Sequence, residues 1–289
     1  MVSAQPLPQS ASAVQRRLVA SARYEVIPLK NLDAQLPHLP PGCSVSVTCS
    51  PAKGLQATLD TTVRIMELGH HAVPHLSARL TEDRAHVARL ASFCAEHGIT
   101  EVFLVAGDAP EPVGAYDGVV PFLRDLFDGD HRLTRIGVTA YPDGHVLIDP
   151  AVVREALHLK QALLAEAGVD GYASTQMCFD VDRWVTWAEA ERAEGFRLPL
   201  HLGVPGAIDR TKLLTMGVRL GVGSSMRYVK KNKGFLGRLF TPGGYDPNKL
   251  IAPLSRRAVE LGIEGLHLFT FNNVEATAAW QRKQLAKLS

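Results

Sequence analysis

Short apolar runs alternate with stretches of helical periodicity along most of the chain. Eight runs are rich in Val, Ile, Leu and Phe and are bounded by Gly, Pro, Asp or Asn, which predicts β-strands. Between most of them apolar residues recur every three or four positions, which predicts helices. This alternation favours a single α/β domain at residues 22–289, a closed parallel (β/α)8 TIM barrel, because right-handed crossovers add neighbouring strands until the sheet closes. The predicted strands are residues 23–29, 43–49, 71–78, 101–105, 135–141, 171–179, 198–204 and 265–271.

Residues 1–21 are rich in Ser, Ala and Gln and lack a continuous apolar core, so they are predicted to form a flexible leader. No apolar run approaches the roughly 20 residues that span a bilayer. The 31 basic and 29 acidic residues leave a net charge of +2, which favours neither nucleic acid nor a membrane surface as a partner. The four cysteines form no Cys-x-x-Cys pair, so we expect free thiols in a cytoplasmic protein and no metal site. Outer barrel helices can pair, which leaves a homo-oligomer open.

The strand at residues 101–105 runs directly into Ala106, Gly107 and the acid Asp108. A carboxylate just past the end of a buried strand is typical of α/β active sites, because the strand fixes its position and the loop opens it to a ligand. The alternative is a structural role, in which Asp108 caps the next element or closes a turn before Pro110.

Glu25 is the only acid of the first predicted strand. It shares a face of that strand with Arg23 and Ile27, opposite Tyr24 and Val26. If this face is the barrel interior, burial disfavours the ionised carboxylate, and a general acid needs a carboxyl group that keeps its proton near neutral pH. The alternative is a surface glutamate that pairs with Arg23.

Polar residues follow several other predicted strands as well. The carboxyl ends of all strands of a parallel barrel lie at one face, so a small-molecule site is expected at that face. Its candidate residues are Glu25, Thr48, His75, Asp108, Tyr141, His145 and Gln176. No Gly-x-Gly-x-x-Gly follows the first strand, and no Walker loop is present, which weighs against a Rossmann domain. A basic run at residues 227–238 contains Lys230 and Lys231. It is either a solvated loop or a grip for carboxylates or phosphates.

Six short motifs occur in a fixed order: VSVT, VPHLSA, a strand ending in GD, AYPDGH, STQMCFD and HLFTFNN. In that order and spacing they resemble the methylenetetrahydrofolate reductase family, in its short bacterial type that has only the catalytic barrel. The resemblance covers Tyr24 to the C-terminus. It implies a barrel that interconverts 5,10-methylenetetrahydrofolate and 5-methyltetrahydrofolate, with FAD carrying the hydride from NADH or NADPH.

The resemblance also implies roles for individual residues. Glu25 matches the catalytic glutamate, which protonates N10 so that the five-membered ring opens to an iminium. Asp108 and Gln176 match residues that orient the pterin, and an ionised Asp108 would stabilise the cation. The basic loop with Lys230 and Lys231 is hypothesised, from charge alone, to bind the glutamate tail of the folate. The residues implied to contact the flavin are Thr48, His75, Gly107, Asp108, Tyr116, Tyr141, His145, His158 and Lys160.

The sequence departs from the family pattern where the flavin binds. Ala106 and Asn273 stand where arginines are usual, and Gln161 and Ala162 replace basic residues. A charge-assisted hydrogen bond contributes roughly 1.5 to 3 kcal/mol, so these changes predict weaker or different FAD binding. Two alternatives therefore stay open: the same reaction by direct hydride transfer from NADH, and a non-catalytic folate-binding barrel. A Schiff-base aldolase is disfavoured because no predicted strand end carries a lysine.

Overall fold

A computed structural model describes residues 10–145, 147–178, 180–207 and 246–288 of the chain. Eight strands within these ranges pair in parallel with their neighbours in sequence, and the last strand pairs with the first to close a barrel. The predicted TIM barrel is therefore confirmed. The strands are β1 (Arg23–Val26), β2 (Ser44–Val47), β3 (His71–Ser77), β4 (Glu101–Val105), β5 (Arg135–Ala140), β6 (Asp170–Thr175), β7 (Leu200–Pro205) and β8 (Ile263–Phe269).

Helices follow most strands and cover the outside of the barrel. Their apolar faces merge with the outward side chains of the strands in one core. The basic run at 227–238 lies outside the described residues. No helix in the described ranges is long and apolar enough to cross a membrane. The helices are α1 (Ala11–Ala20), α2 (Gly54–Glu67), α3 (Arg84–Glu96), α4 (Val119–Phe127), α5 (Pro150–Glu166), α6 (Val181–Ala193), α7 (Asn248–Ser255), α8 (Ala258–Leu261) and α9 (Val274–Lys287), with short 3-10 turns at Leu36–His38 and Ala78–Leu80.

The prediction of a flexible leader over residues 1–21 is wrong for its described part. Ser10 caps α1 by accepting a hydrogen bond from the backbone of Ala13. Val14, Leu18 and Val19 are buried, and α1 packs on α7 and α9. The apolar spacing from Val14 to Leu18 is that of a helix, and burial of this stripe offsets the conformational entropy that a mobile segment would keep.

The register of β1 decides which of its side chains point into the barrel. Glu25 pairs with Ser46 of β2 and Phe269 of β8, while the neighbouring Tyr24 points outward and its hydroxyl donates a hydrogen bond to Gln281 on α9. Because side chains alternate along a strand, Glu25 must then point inward. The sheet therefore turns the only acid of β1 toward the barrel interior.

The contribution of the N-terminal cap of α5 to stability can be tested by substitution. The Asp149 carboxylate accepts a hydrogen bond from the backbone of Ala151 at 2.8 Å, and Pro150 occupies the first turn. Replacing Asp149 by Ala leaves this N–H without its partner and is expected to lower the free energy of unfolding by about 1 kcal/mol, measured by urea denaturation. Glu155→Ala, on the exposed side of the same helix, is the control and should change it by less than about 0.5 kcal/mol. Equal effects of the two substitutions would contradict the capping role.

Candidate active site

A cavity of about 230 Å³ opens at the carboxyl ends of the strands. The barrel geometry explains its position, since parallel strands present their C-terminal ends at one face. Residues far apart in sequence meet here because they lie on, or shortly after, several different strands. The predicted site residues that line this cavity are Glu25, Thr48, His75, Gly107, Asp108, Tyr141 and Gln176.

Glu25 is held at the inner end of the cavity. Its side chain is 13% exposed, and its Oε2 lies 2.9 Å from His267 Nε2. The same oxygen lies 4.0 Å from His75 Nε2. The alternative of a surface pair with Arg23 is wrong, because Glu25 is largely buried and Arg23 pairs across the barrel interior with Glu101 of β4.

Two residues after β8 fix the backbone around Glu25. The Thr270 hydroxyl donates a hydrogen bond to the Glu25 carbonyl at 2.5 Å. Asn272 accepts from the backbone N–H of Ile27 and donates to its carbonyl, both at 2.8 Å, in the way a neighbouring strand would. Asn272 itself has a left-handed backbone, with φ of 54°, a conformation that Asn adopts more readily than most residues. These bonds tie the end of β8 to the end of β1.

His75 is a neutral imidazole in this setting. Burial lowers its pKa well below the usual value, and the nearby His267 and Arg23 lower the pKa further. Its Nε2 lies 2.7 Å from the Ser46 hydroxyl of β2. A neutral ring can face a bound aromatic group without the cost of desolvating a charge.

Asp108 and Gln176 lie at the open side of the cavity, and both are exposed. Gly107 precedes Asp108 with φ of 96°, and a Cβ there would meet the Ser77 hydroxyl at 2.0 Å, so the turn that presents Asp108 requires glycine. The Gln176 side chain accepts a hydrogen bond from the backbone of Met177 at 2.9 Å, and its amide N–H groups donate to none of the residues that the structure describes. Both side chains are placed to meet a ligand that enters from solvent.

Four residues implied to contact a flavin do not line the cavity. Tyr116 is buried under α4, where its hydroxyl donates to Asp125, and His145 contacts the ring of Tyr141 edge-on from outside the lining. His158 Nε2 lies 2.8 Å from Glu191 on α6.

Lys160, the fourth of these residues, is on α5, and its buried side chain extends to β5. Its ammonium group donates to the Thr139 carbonyl at 3.0 Å, and burial lowers its pKa to about 8. His158 and Lys160 are two positions apart on a helix, so they point in different directions and serve different neighbours. Lys230 and Lys231 lie outside the described residues.

The structure adds lining residues that the sequence reasoning missed, above all His267. In the strand GLHLFTF, His267 is two positions before Phe269, so the two share a face by strand alternation. His267 is buried in the lining, and its ring packs near Phe103 and Phe269. A polar residue on the inward face of the last strand was the signal that could have identified it.

Glu25, His75 and His267 each offer one ligand atom, and these atoms lie within 4.8 Å of one another. The set fits a resident metal ion poorly. Ser46 already contacts His75 Nε2, and His267 Nδ1 is buried without a partner among the described residues. Metal-binding imidazoles usually donate the N–H of their second nitrogen to a neighbouring group. We therefore interpret the cluster as a hydrogen-bonded carboxyl–imidazole group.

The fold and the cavity define a (β/α)8-barrel protein with a polar site at the carboxyl ends of its strands. The family model described as methylenetetrahydrofolate reductase matches residues 40–214, more than half of the chain. The chain belongs to the methylenetetrahydrofolate reductase family, which confirms the predicted resemblance.

Two yeast proteins are similar to parts of the chain. Methylenetetrahydrofolate reductase 1 of Schizosaccharomyces pombe is 28% identical over 143 residues, which are 47% of this chain and 22% of that protein. Methylenetetrahydrofolate reductase 2 of Saccharomyces cerevisiae is 31% identical over 117 residues, 37% of this chain and 19% of that protein. The matched segments thus span about a fifth of the length of these curated relatives.

A solved structure shares the fold over nearly the whole chain. It is an uncharacterized protein from Clostridium thermocellum that binds two copies of 5-methyl-5,6,7,8-tetrahydrofolic acid, with a TM-score of 0.58 and 13% sequence identity. The similarity covers 95% of this chain and 99% of that one. At this identity the likeness concerns the barrel architecture.

Proposed function

We propose that the protein interconverts 5,10-methylenetetrahydrofolate and 5-methyltetrahydrofolate, with a nicotinamide as the source of the hydride. The observation that carries this proposal is that Glu25, Asp108 and Gln176 line one cavity although they come from strands far apart in sequence. Family membership supplies the substrate class, and the cavity supplies an acid, a second carboxylate and an amide in one place.

Glu25 is proposed as the general acid of the reduction. A proton leaves its carboxyl group and binds N10 of the folate, the bond between N10 and the methylene carbon breaks, and N5 becomes part of an iminium cation. The hydride then adds to the methylene carbon with both electrons and forms the methyl group. The position of Glu25 supports this role, because its carboxyl group lines the cavity while its side chain is only 13% exposed.

Asp108 and Gln176 are proposed to hold the pterin and to stabilise the cation. A carboxylate near a developing positive charge lowers the energy of the transition state more than that of the neutral substrate. The free amide N–H groups of Gln176 can donate to pterin acceptors. In the open cavity both side chains are exposed, and a bound ring would cover them and exclude water.

The route of the hydride separates two candidates. FAD, when bound, relays a hydride from the nicotinamide to the folate, and Thr48, His75, Gly107, Asp108 and Tyr141 would face its ring system. Two other residues implied to contact the flavin fit less well, since His158 and Lys160 are engaged by Glu191 and Thr139. Within the described ranges no Lys or Arg lines the cavity. This arrangement favours, as the second candidate, direct hydride transfer from NADH in a ternary complex.

The test supplies the purified protein with 5,10-methylenetetrahydrofolate and NADH or NADPH, with and without added FAD. The expected result is formation of 5-methyltetrahydrofolate. A bound flavin spectrum with parallel initial-rate lines would support the FAD route, and a colourless protein with intersecting lines would support direct transfer. Folate binding without product under any donor would leave a non-catalytic barrel, and absence of folate binding would contradict both forms of the proposal.

A further inference from the structure

Among the described residues, the side chain in closest contact with the carboxyl group of Glu25 is that of His267. Its Nε2 lies 2.9 Å from Glu25 Oε2, and its side chain is only 2% exposed. The ring is packed by Phe103 and Phe269, with ring centroids at 6.0 and 5.0 Å. The ring therefore has little freedom to turn away from the carboxyl group.

The second nitrogen of His267 indicates which tautomer the pair adopts. Nδ1 is buried and has no hydrogen-bond partner in the part of the chain that the structure describes. A buried N–H without an acceptor is costly, whereas a bare ring nitrogen leaves only an acceptor unused. The proton of the neutral ring therefore belongs on Nε2, where it is donated to Glu25 Oε2.

This contact gives the two oxygens of Glu25 different tasks. Oε2 faces His267 and lies 4.0 Å from His75, while Oε1 makes no hydrogen bond to any described residue. Glu25 also lines the cavity, so Oε1 is the oxygen left to hold the proton for a ligand. His75 is less suited to orient Glu25, because its Nε2 is in contact with Ser46 at 2.7 Å.

We propose that His267 is a positioning residue for the acid: its Nε2–H holds Glu25 Oε2, keeps Oε1 toward the substrate, and stabilises the carboxylate that remains after the proton is delivered. The inference rests on the proposed role of Glu25 as general acid. A hydrogen bond to a carboxylate is stronger than one to a neutral acid, so the contact gains strength as the proton leaves. His267 thus acts on the chemical step through Glu25 and not through folate binding.

The experiment compares His267→Leu, which removes the donor, with His267→Gln, whose amide N–H can occupy the position of Nε2–H. We expect kcat to fall roughly 10- to 100-fold in His267→Leu, with KM for the folate changed by less than about threefold. His267→Gln should recover most of the lost kcat. The matched control is His201→Leu, since His201 is also a buried histidine whose Nδ1 has no partner among the described residues, yet its ring stacks on Tyr172.

Two further measurements keep the result unambiguous. Thermal unfolding of each variant, followed by circular dichroism, identifies any loss that comes from misfolding. In a Glu25→Gln background, His267→Leu should cause no further fall in the residual rate, because its effect passes through Glu25. Where His267→Leu alone does not fold, His267→Gln carries the test: a folded His267→Gln protein should keep most of the wild-type kcat, and its loss would contradict the role of the Nε2–H donor.

The outcomes separate this inference from the proposed function. If the wild-type protein forms no 5-methyltetrahydrofolate, the proposed function is at fault. If the wild-type protein is active and His267→Leu keeps its kcat, or loses it equally in both Glu25 backgrounds, the positioning role is wrong. A loss that His267→Gln does not restore, in a folded protein, would equally overturn the role of the Nε2–H donor.

Discussion

Replacing Glu25 by Gln should lower kcat roughly 100- to 10,000-fold, because the amide keeps the shape of the side chain but has no acidic proton for N10. The Gln carbonyl can still accept the hydrogen bond from His267, so the cavity should keep its form. Folate binding is therefore expected to stay within a few-fold of the wild-type value. Turnover is measured from NADH absorbance together with the amount of methylated product, and binding from fluorescence titration with folate.

Asp33→Asn is the matched control for this substitution. Asp33 lies on the loop that follows the same strand, is 68% exposed and pairs with Arg64. The Asp33→Asn substitution removes one carboxylate that does not line the cavity, so activity should stay near the wild-type value. A Glu25→Gln protein that keeps more than a tenth of wild-type turnover would show that another group or a water molecule supplies the proton.

Replacing Glu101 by Gln should lower the free energy of unfolding by about 3 to 5 kcal/mol at neutral pH. Glu101 accepts a hydrogen bond from Arg23 at 2.7 Å and contacts His71 at 2.9 Å, and the side chains of Arg23 and Glu101 are less than a tenth exposed. Arg23 also donates to the hydroxyl of Tyr172. The substitution leaves a buried guanidinium without its counter-charge, which is the costly way to break a buried ion pair.

The Glu101 carboxyl group should also make the free energy of unfolding depend on pH in the acid range. Burial alone would raise the pKa of Glu101, but the hydrogen bond from His71 and the charge of Arg23 outweigh it and lower the pKa to about 2. The carboxylate therefore contributes stability that is complete above the ordinary pKa of 4.5 and is lost as the pH falls through about 2. The difference corresponds to roughly 3 kcal/mol. Urea denaturation at a series of pH values should show a steeper acid loss in the wild-type protein than in Glu101→Gln.

Glu264→Gln provides the comparison for Glu101. Glu264 pairs with Arg135 at 3.2 Å, but this pair is a third or more exposed on both sides, so its loss should cost about 1 kcal/mol or less. Similar stability losses for the two substitutions would mean that burial is not what makes the Glu101 pair important.

The sequence was most informative where periodicity is local. The eight strands were recognised from short apolar runs, because the residues of each run lie within a few positions of one another. The helical stripe of Val14 and Leu18 was present in the same form, yet it was missed because the surrounding residues are polar. The segment is ordered because the surfaces of α7 and α9 cover its apolar stripe. These two helices come from the C-terminal part of the chain, so no local pattern indicates the contact.

The candidate site likewise contains residues that the motifs placed correctly and residues whose direction only the fold determines. Motif order placed Glu25, Asp108 and Gln176 at strand ends, and the barrel brings them to one cavity. The motifs did not decide which way Tyr116, His158 and Lys160 point. Their directions depend on the turn of a helix and on partners such as Asp125 and Glu191. Flavin contact by these three residues thus remains a prediction from resemblance.

By itself, the order of residues determined the alternation of strands and helices, the closure of the barrel and the identity of the acid in its first strand. Only the tertiary structure decided that His267 holds Glu25 and that Arg23 belongs to Glu101. The physical reason is that strand and helix periods arise from bonds between near neighbours in the chain. The partners of a buried charge are set by sheet register and barrel closure, which join residues that no local pattern relates.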